Sequence, residues 1–273
     1  MQAFSRWTAP GGTLGRISAE AAVRANALEA RRDDLERAAE SAVPGPSLQA
    51  ALFRPSVAVL AEVKKRSPSK GAIAEGLDPV SQALAYLAGG AAGVSILTEP
   101  LHFGGSDDDL VAVRERVPMP ALKKDFHVAP IQLLEARALG ASAALLIVRA
   151  LSPERLVEMM DTGRTIGLEL LVEIRDEQEL ERALAAGASM IGINNRDLET
   201  LVIDPATADR LLPMIPSHVI AIAESGVQSR ADVERYAAYG ADAVLVGSSL
   251  SASADPVAAT RALTDVRRID RAG

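Results

Sequence analysis

A closed (β/α)8 barrel with a helical extension ahead of its first strand is the fold the sequence predicts. Three observations carry it. Eight short apolar runs alternate with helix-patterned stretches between about residues 57 and 247. Four joints from helix to run repeat one phrase: Gly-Gly-Ala-Ala at 89–92, Gly-Ala-Ser at 140–142 and 187–189, and Gly-Ala-Asp at 240–242. Charged and small polar residues gather at the carboxyl ends of the runs, the face on which barrel enzymes carry their sites.

Composition sets the outer limits. A chain of 273 residues suits one α/β barrel, and we expect one domain over 1–273 with 1–50 as the extension. Apolar residues make up 48% but aromatics only 3%, so Ala, Val, Leu and Ile must fill the core. A net charge of -7 argues against a nucleic-acid surface. With no cysteine there is no disulfide, thiolate metal site or cysteine nucleophile. No apolar run approaches the roughly 20 residues that span a bilayer, and the N-terminus lacks a signal-peptide layout. The expected compartment is the cytoplasm, with no membrane and no nucleic acid as partner.

Residues 1–16 read as a loose terminus. From about 17 to 41 the chain is rich in Ala, Glu and Arg, with Leu28 and Leu35 at helical spacing, until Pro44-Gly45-Pro46 stops the pattern. The strand candidates follow at 57–63, 93–97, 120–125, 143–148, 168–174, 190–194, 218–224 and 243–247. Most are nearly continuous in hydrophobicity, as strands covered on both faces should be. The leading glycine of each repeated joint is expected to take the left-handed conformation that closes a helix. A doubly wound open sheet is the alternative, and no Gly-x-Gly-x-x-Gly follows the first strand to support it.

Every lysine falls in one of two stretches: Lys64, Lys65 and Lys70 after the first run, Lys123 and Lys124 at the end of the third. Arginine serves everywhere else. Lysine is a compact ammonium that suits proton transfer, which marks these strand ends as the chemical centre. Period-2 alternation puts Glu62 and Lys64 on one face of the first strand and Lys124 on one face of the third. Glu173 stands alone among apolar neighbours in the fifth; Glu169 faces the same way near that strand's start and is not counted as a site residue. Asn194 and Arg196 end the sixth, Glu224 and Ser225 the seventh. Two lysines and a glutamate aimed into one pocket point to acid–base work on a small molecule; a structural ion-pair ring is the other reading.

Gly226, Gly247 and Ser248 are small enough for backbone amides to approach an anion, and phosphate sites of barrels often follow strands 7 and 8. Otherwise these glycines close tight turns. His102, His127 and His218 show no metal spacing, so no metal site is expected. Asp107-Asp108-Asp109 reads as a solvated helix start.

These motifs together resemble the indole-3-glycerol-phosphate synthase family. Glu62-Val63-Lys64 with Ser67-Pro68-Ser69-Lys70-Gly71 resembles its first-strand signature, and Leu97-Thr98-Glu99 with Phe103-Gly104-Gly105-Ser106 its second loop. Lys124-Asp125-Phe126, Leu171-Val172-Glu173, Gly192-Ile193-Asn194-Asn195-Arg196-Asp197-Leu198 and Glu224-Ser225-Gly226 complete the series in family order. After Phe126 the family often has an Asp and a Tyr where this chain has Ala129 and Ile131, a difference that bears on helix packing. The resemblance implies closure of an indole ring on a phosphorylated substrate, without a cofactor. It implies Lys124 as acid for ring closure, Glu173 and Lys64 for dehydration, and Glu62, Asn194 and Glu224 as orienting groups. Ser67 and Phe103 would line the substrate site, and Arg196, Ser225, Gly226, Gly247 and Ser248 would hold the phosphate. A phosphoribosylanthranilate isomerase is disfavoured because that family uses a cysteine base; a silent barrel acting as a binding subunit is disfavoured by Lys64, Lys124 and Glu173 together. The sequence assigns no oligomeric state and no association with other tryptophan-pathway enzymes.

Overall fold

The computed structural model describes residues 8–69, 71–74 and 76–271. Eight parallel strands close a barrel in sequence order: β1 Ala58–Val63, β2 Gly93–Leu97, β3 Ala121–Lys124, β4 Ala143–Ile147, β5 Glu169–Ile174, β6 Met190–Asn194, β7 Ile220–Glu224 and β8 Ala243–Val246. β8 closes on β1 with Ala243 opposite Ala58. Every run expected to be a strand is one, with ends agreeing to within two residues.

Alternation along the strands builds two cores. Val59, Ala61 and Val63 face the shell of helices, packed with Val80, Ala83 and Tyr86. Ala58 and Leu60 face inward with Leu122, Leu145, Leu171, Ile222 and Leu245, filling the barrel axis. The next inward positions toward the carboxyl face are Glu62, Lys124, Glu173, Asn194 and Glu224. The apolar plug beneath them therefore sets the height at which the polar layer begins.

Sequence-local signals account for the helices. Asp78, Ser106, Ser152, Asp176 and Asp255 each cap a helix by accepting a backbone N–H, and Pro79, Pro153 and Pro256 occupy the first turns of three. Gly140, Gly187 and Gly240 take the left-handed conformation expected of them (φ 80°, 82° and 90°). At the first joint the expectation fails: Gly89 is right-handed and Gly90 makes the turn at φ 94°. Gly89 is small for another reason, since a Cβ there would run into Thr260 of the last helix.

The extension differs from its expectation. Residues 1–7 lie outside the described residues, but the segment expected to be loose already forms a helix, Gly12–Leu28, which a 3-10 turn joins to a second, Arg32–Ser41. Tertiary burial overrides weak local signals here: Leu14, Ile17 and Ala21 pack with Phe126, Leu145 and Ile147 over the barrel mouth. The second helix lies on helix Pro130–Ala138, where Leu35 and Ala39 meet Ile131 and Leu134. Ile131 is thus a buried packing residue of this interface, and its departure from the family pattern is accommodated there.

A short helix, Leu48–Leu52, plugs the opposite end. Leu48 and Leu52 are fully buried, and Glu169 accepts from Gln49 N at 2.9 Å and from the Ser47 hydroxyl. Glu169 is thereby a structural residue, and the plug straddles the expected boundary at residue 50.

Candidate active site

Thirteen expected site residues line one cavity at the carboxyl face of the strands: Glu62, Lys64, Ser67, Phe103, Lys124, Glu173, Asn194, Arg196, Glu224, Ser225, Gly226, Gly247 and Ser248. Its volume of about 490 Å³ suits a small organic ligand, for which about 300–1,000 Å³ is usual.

At its floor Lys124 Nζ lies 3.0 Å from Glu173 Oε2 and 3.6 Å from Glu224 Oε2. Asn194 Nδ2 donates to Glu173 Oε1 at 3.0 Å, so both carboxylate oxygens of Glu173 are held. Asn194 Oδ1 accepts from Arg196 N at 2.9 Å, which fixes the amide's orientation. On the adjoining wall Lys64 Nζ donates to Glu62 Oε1 at 2.7 Å and stands 5.7 Å from the Phe103 ring centroid. Two Lys–Glu pairs on separate strands thus face one space.

Burial governs the protonation of this cluster. It drives Glu224 up to about 8, a rise that Lys124 opposes and that Glu173 and Glu62 reinforce. Burial works against the Lys124 ammonium, yet Glu173, Glu224 and Glu62 outweigh it and hold its pKa above the ordinary lysine value. At neutral pH the floor therefore holds a charged lysine and a protonated Glu224.

Two glycines make this packing possible, and sequence reasoning missed one of them. A Cβ on Gly192 would overlap Glu224 Oε1, so β6 must be bare where β7 projects its carboxyl group. A Cβ on Gly247 would overlap Glu62 Oε1. A substitution at Gly247, expected from sequence to act on a tight turn or on the phosphate, would therefore also displace Glu62.

Beyond β7 and β8, Ser225 and Gly226 are both left-handed (φ 65° and 91°), and the chain turns at Gly247 into helix Ser248–Ser251. Arg196 borders the same corner, its Nη1 donating to Leu201 O at 2.8 Å. Burial lowers the Arg196 pKa without discharging it. An apolar stretch of the cavity wall is formed by Leu14, Ile17, Phe103, Phe126, Leu145 and Ile147, which pack in one cluster. Helix Gly12–Leu28, read from sequence as a segment outside the βα alternation, supplies part of that wall. Arg24 anchors it to the barrel through Asp125 Oδ1 at 2.7 Å, and Thr98 holds the other Asp125 oxygen at 2.9 Å.

The lysine argument was half right. Lys65 and Lys123 point away from the cavity and pair with Asp109 and Asp107. Asp107-Asp108-Asp109 is accordingly a paired helix start with only Asp108 exposed. Lys70 lies outside the described residues. Among the histidines, His218 is exposed, and His127 is buried with Nδ1 2.8 Å from Leu145 O, its pKa lowered by burial to about 4. His102 comes together with Glu20 and Glu99, a grouping the sequence spacing did not show. Glu99 spends its oxygens on the backbone N–H groups of Leu101, His102 and Phe103.

Fold and site define a class: a (β/α)8-barrel enzyme with buried lysine–glutamate pairs at the carboxyl face, in a cavity lined by both apolar side chains and small residues that expose backbone. A family model described as indole-3-glycerol phosphate synthase matches residues 14–263. The indole-3-glycerol phosphate synthase of Mycobacteroides abscessus is 52% identical over 221 residues, 81% of either chain. That of Rhodococcus jostii is 47% identical over 243 residues, 89% of this chain and 90% of its own. A crystal structure of 3-hexulose-6-phosphate synthase superposes with a TM-score of 0.60 over 76% of this chain and 98% of that one, at 14% identity, a likeness of fold alone. The chain belongs to the indole-3-glycerol phosphate synthase family.

Proposed function

We propose that Glu62, Lys64, Lys124, Glu173, Asn194 and Glu224 carry the reaction of this family. That reaction converts 1-(2-carboxyphenylamino)-1-deoxy-D-ribulose 5-phosphate to indole-3-glycerol phosphate, with loss of carbon dioxide and water. The protein is a carboxy-lyase of tryptophan biosynthesis acting on a phosphorylated small molecule. Among the described residues no helix is long and apolar enough to cross a membrane. The cytoplasm, the compartment expected from the sequence, is part of this proposal.

The aromatic carbon bearing the carboxylate attacks the ketone, and the oxygen that becomes an alkoxide takes a proton from Lys124. A buried ammonium is suited to that charge because the surrounding carboxylates keep it protonated. Carbon dioxide then leaves with its bonding pair returned to the ring. Loss of the new hydroxyl as water takes a second proton, from Lys64, while Glu173 removes the proton from the neighbouring carbon. Glu173 stands 3.0 Å from Lys124, so the proton it gains can pass back to the lysine. Lys64 is recharged from solvent; one proton consumed per turnover balances a carboxylate leaving as carbon dioxide. Glu62 holds Lys64, and Asn194 and Glu224 hold Glu173 and Lys124 for these steps. Arg196, Ser225–Gly226 and Gly247–Ser248 hold the phosphate in this reading, Ser67 lines the substrate site, and the carboxyphenyl end lies against Phe103.

The observation that carries this reading is the contact of the Lys124 ammonium with the side chains of both Glu173 and Glu224 at the cavity floor. Indole-type fluorescence growing from the carboxyphenylamino substrate, with equimolar carbon dioxide, tests the activity; its failure to appear with folded protein would sink it.

A further inference from the structure

Ser251 ends the helix that follows β8, and its side chain is buried away from the cavity. Its hydroxyl donates to Glu62 O at 3.0 Å and accepts from Lys64 N at 3.1 Å. These are the two backbone groups that bracket Val63 on the β8 side of β1. The ladder between β1 and β8 stops at Ala61 opposite Val246. One hydroxyl therefore replaces both the N–H and the C=O of a missing strand residue, and the ends of β1 are satisfied although β8 has left the sheet. Tyr86, fully buried on helix Pro79–Ala88, backs it with a hydroxyl 3.2 Å from both Ser251 Oγ and Glu62 O.

The substitution has a mechanical result. β8 is free to turn at Gly247 into the phosphate corner, yet the helix it enters remains bonded to the two residues, Glu62 and Lys64, whose side chains pair at 2.7 Å. Gly247 itself lies against the Glu62 carboxylate. We propose that Ser251, backed by Tyr86, is a positioning residue that couples occupancy of the phosphate corner to the placement of Glu62 and Lys64. The proposal rests on the reading of Gly247 and Ser248 as phosphate binders.

The test divides the substrate in two. The 1,5-dideoxy analogue of the substrate lacks the phosphate ester, and inorganic phosphite supplies the dianion separately. In the wild type, phosphite should raise turnover of the analogue saturably. In Ser251→Ala and Tyr86→Phe the activation should fall by roughly tenfold or more, the scale expected when reacting groups are misplaced by a fraction of an ångström. With the whole substrate, the same variants should lose kcat while KM stays within about twofold. Thermal melting with and without phosphite reports whether each variant folds and binds the anion. A merely structural role for Ser251 lowers the melting temperature but leaves phosphite activation at the wild-type level, and that result overturns the coupling. If phosphite neither stabilises nor activates the wild type, the phosphate corner itself is misassigned and the coupling falls with it. Tyr86→Phe removes one oxygen at nearly constant volume, so it decides the matter should Ser251→Ala not fold.

Discussion

Lys124 of β3 and Glu173 of β5 meet across the barrel mouth with Nζ and Oε2 3.0 Å apart, although β4 lies between their strands. β4 contributes Ile147 at its carboxyl end, an apolar residue that leaves the ion pair no competing partner from that side. Enclosing such a pair costs desolvation, and breaking one partner away typically costs about 3–5 kcal/mol. The chain retains Glu173, Glu62 and a protonated Glu224 around one ammonium here, an arrangement that makes sense for proton transfer more than for stability.

Lys124→Ala should lower kcat by at least about two orders of magnitude with a much smaller change in KM, since the interaction is made to charge that develops in the transition state. Lys124→Arg should not restore turnover, because guanidinium does not release its proton at working pH. Steady-state kinetics on the full substrate decide this, and near-normal kcat in Lys124→Ala would remove the residue from the mechanism.

Glu224 gives a prediction in stability. Its pKa is about 8 in the folded protein, raised by burial from an unfolded value near 4.3. The folded state therefore binds the extra proton between those values, so this group's contribution is fully present below about pH 4.3 and is lost as pH rises through 8. Glu224→Gln has no such proton to lose. Melting temperatures of the variant and the wild type, measured from about pH 5 to 9, should diverge in the variant's favour as pH rises. A constant gap would mean that the carboxyl group is ionised throughout.

Gly192→Ala should act through Glu224. The added methyl group occupies the space of Oε1, so the Glu224 carboxyl group must swing away from its place. A loss in kcat comparable to that of Glu224→Gln is expected, and the double variant should be little worse than either single one, because both remove the same carboxyl placement. Additive losses would show that Gly192 acts elsewhere.

How far the sequence disclosed this site follows from what is periodic and what is not. Strand ends are periodic: alternation alone put Glu62 with Lys64 and aimed Lys124 and Glu173 inward. Counting lysines marked Lys123 as well, and residue type could not show that it turns to the opposite face of β3, where Asp107 and Glu135 meet it. Contacts between distant segments were hidden. Nothing near Gly192 announces Glu224, nothing near Ser251 announces β1, and Leu48 reads as one more leucine until the barrel closes around it. The early start of helix Gly12–Leu28 was hidden too, because its stabilising partners, Phe126 and Ile147, lie more than a hundred residues away.

That helix supports the last prediction. Leu14 and Ile17 are almost fully buried on the cavity's apolar wall, and burying each such side chain is worth about 1.5–3 kcal/mol. Deleting residues 1–43 exposes that wall together with Ile131 and Leu134, the surface that helix Arg32–Ser41 covers. The eight strands and the plug at Leu48–Leu52 stay, so the truncated barrel should still melt cooperatively, at a lower temperature. Its kcat/KM should fall steeply, because water enters beside the carboxyphenyl end and one wall of the positioning surface is gone. Arg24→Ala, which cuts the 2.7 Å bond to Asp125 but leaves the helix in the chain, should reproduce part of that loss. Full activity in the truncated protein would show that the helix is no part of the site, and failure to fold would make it a structural cap.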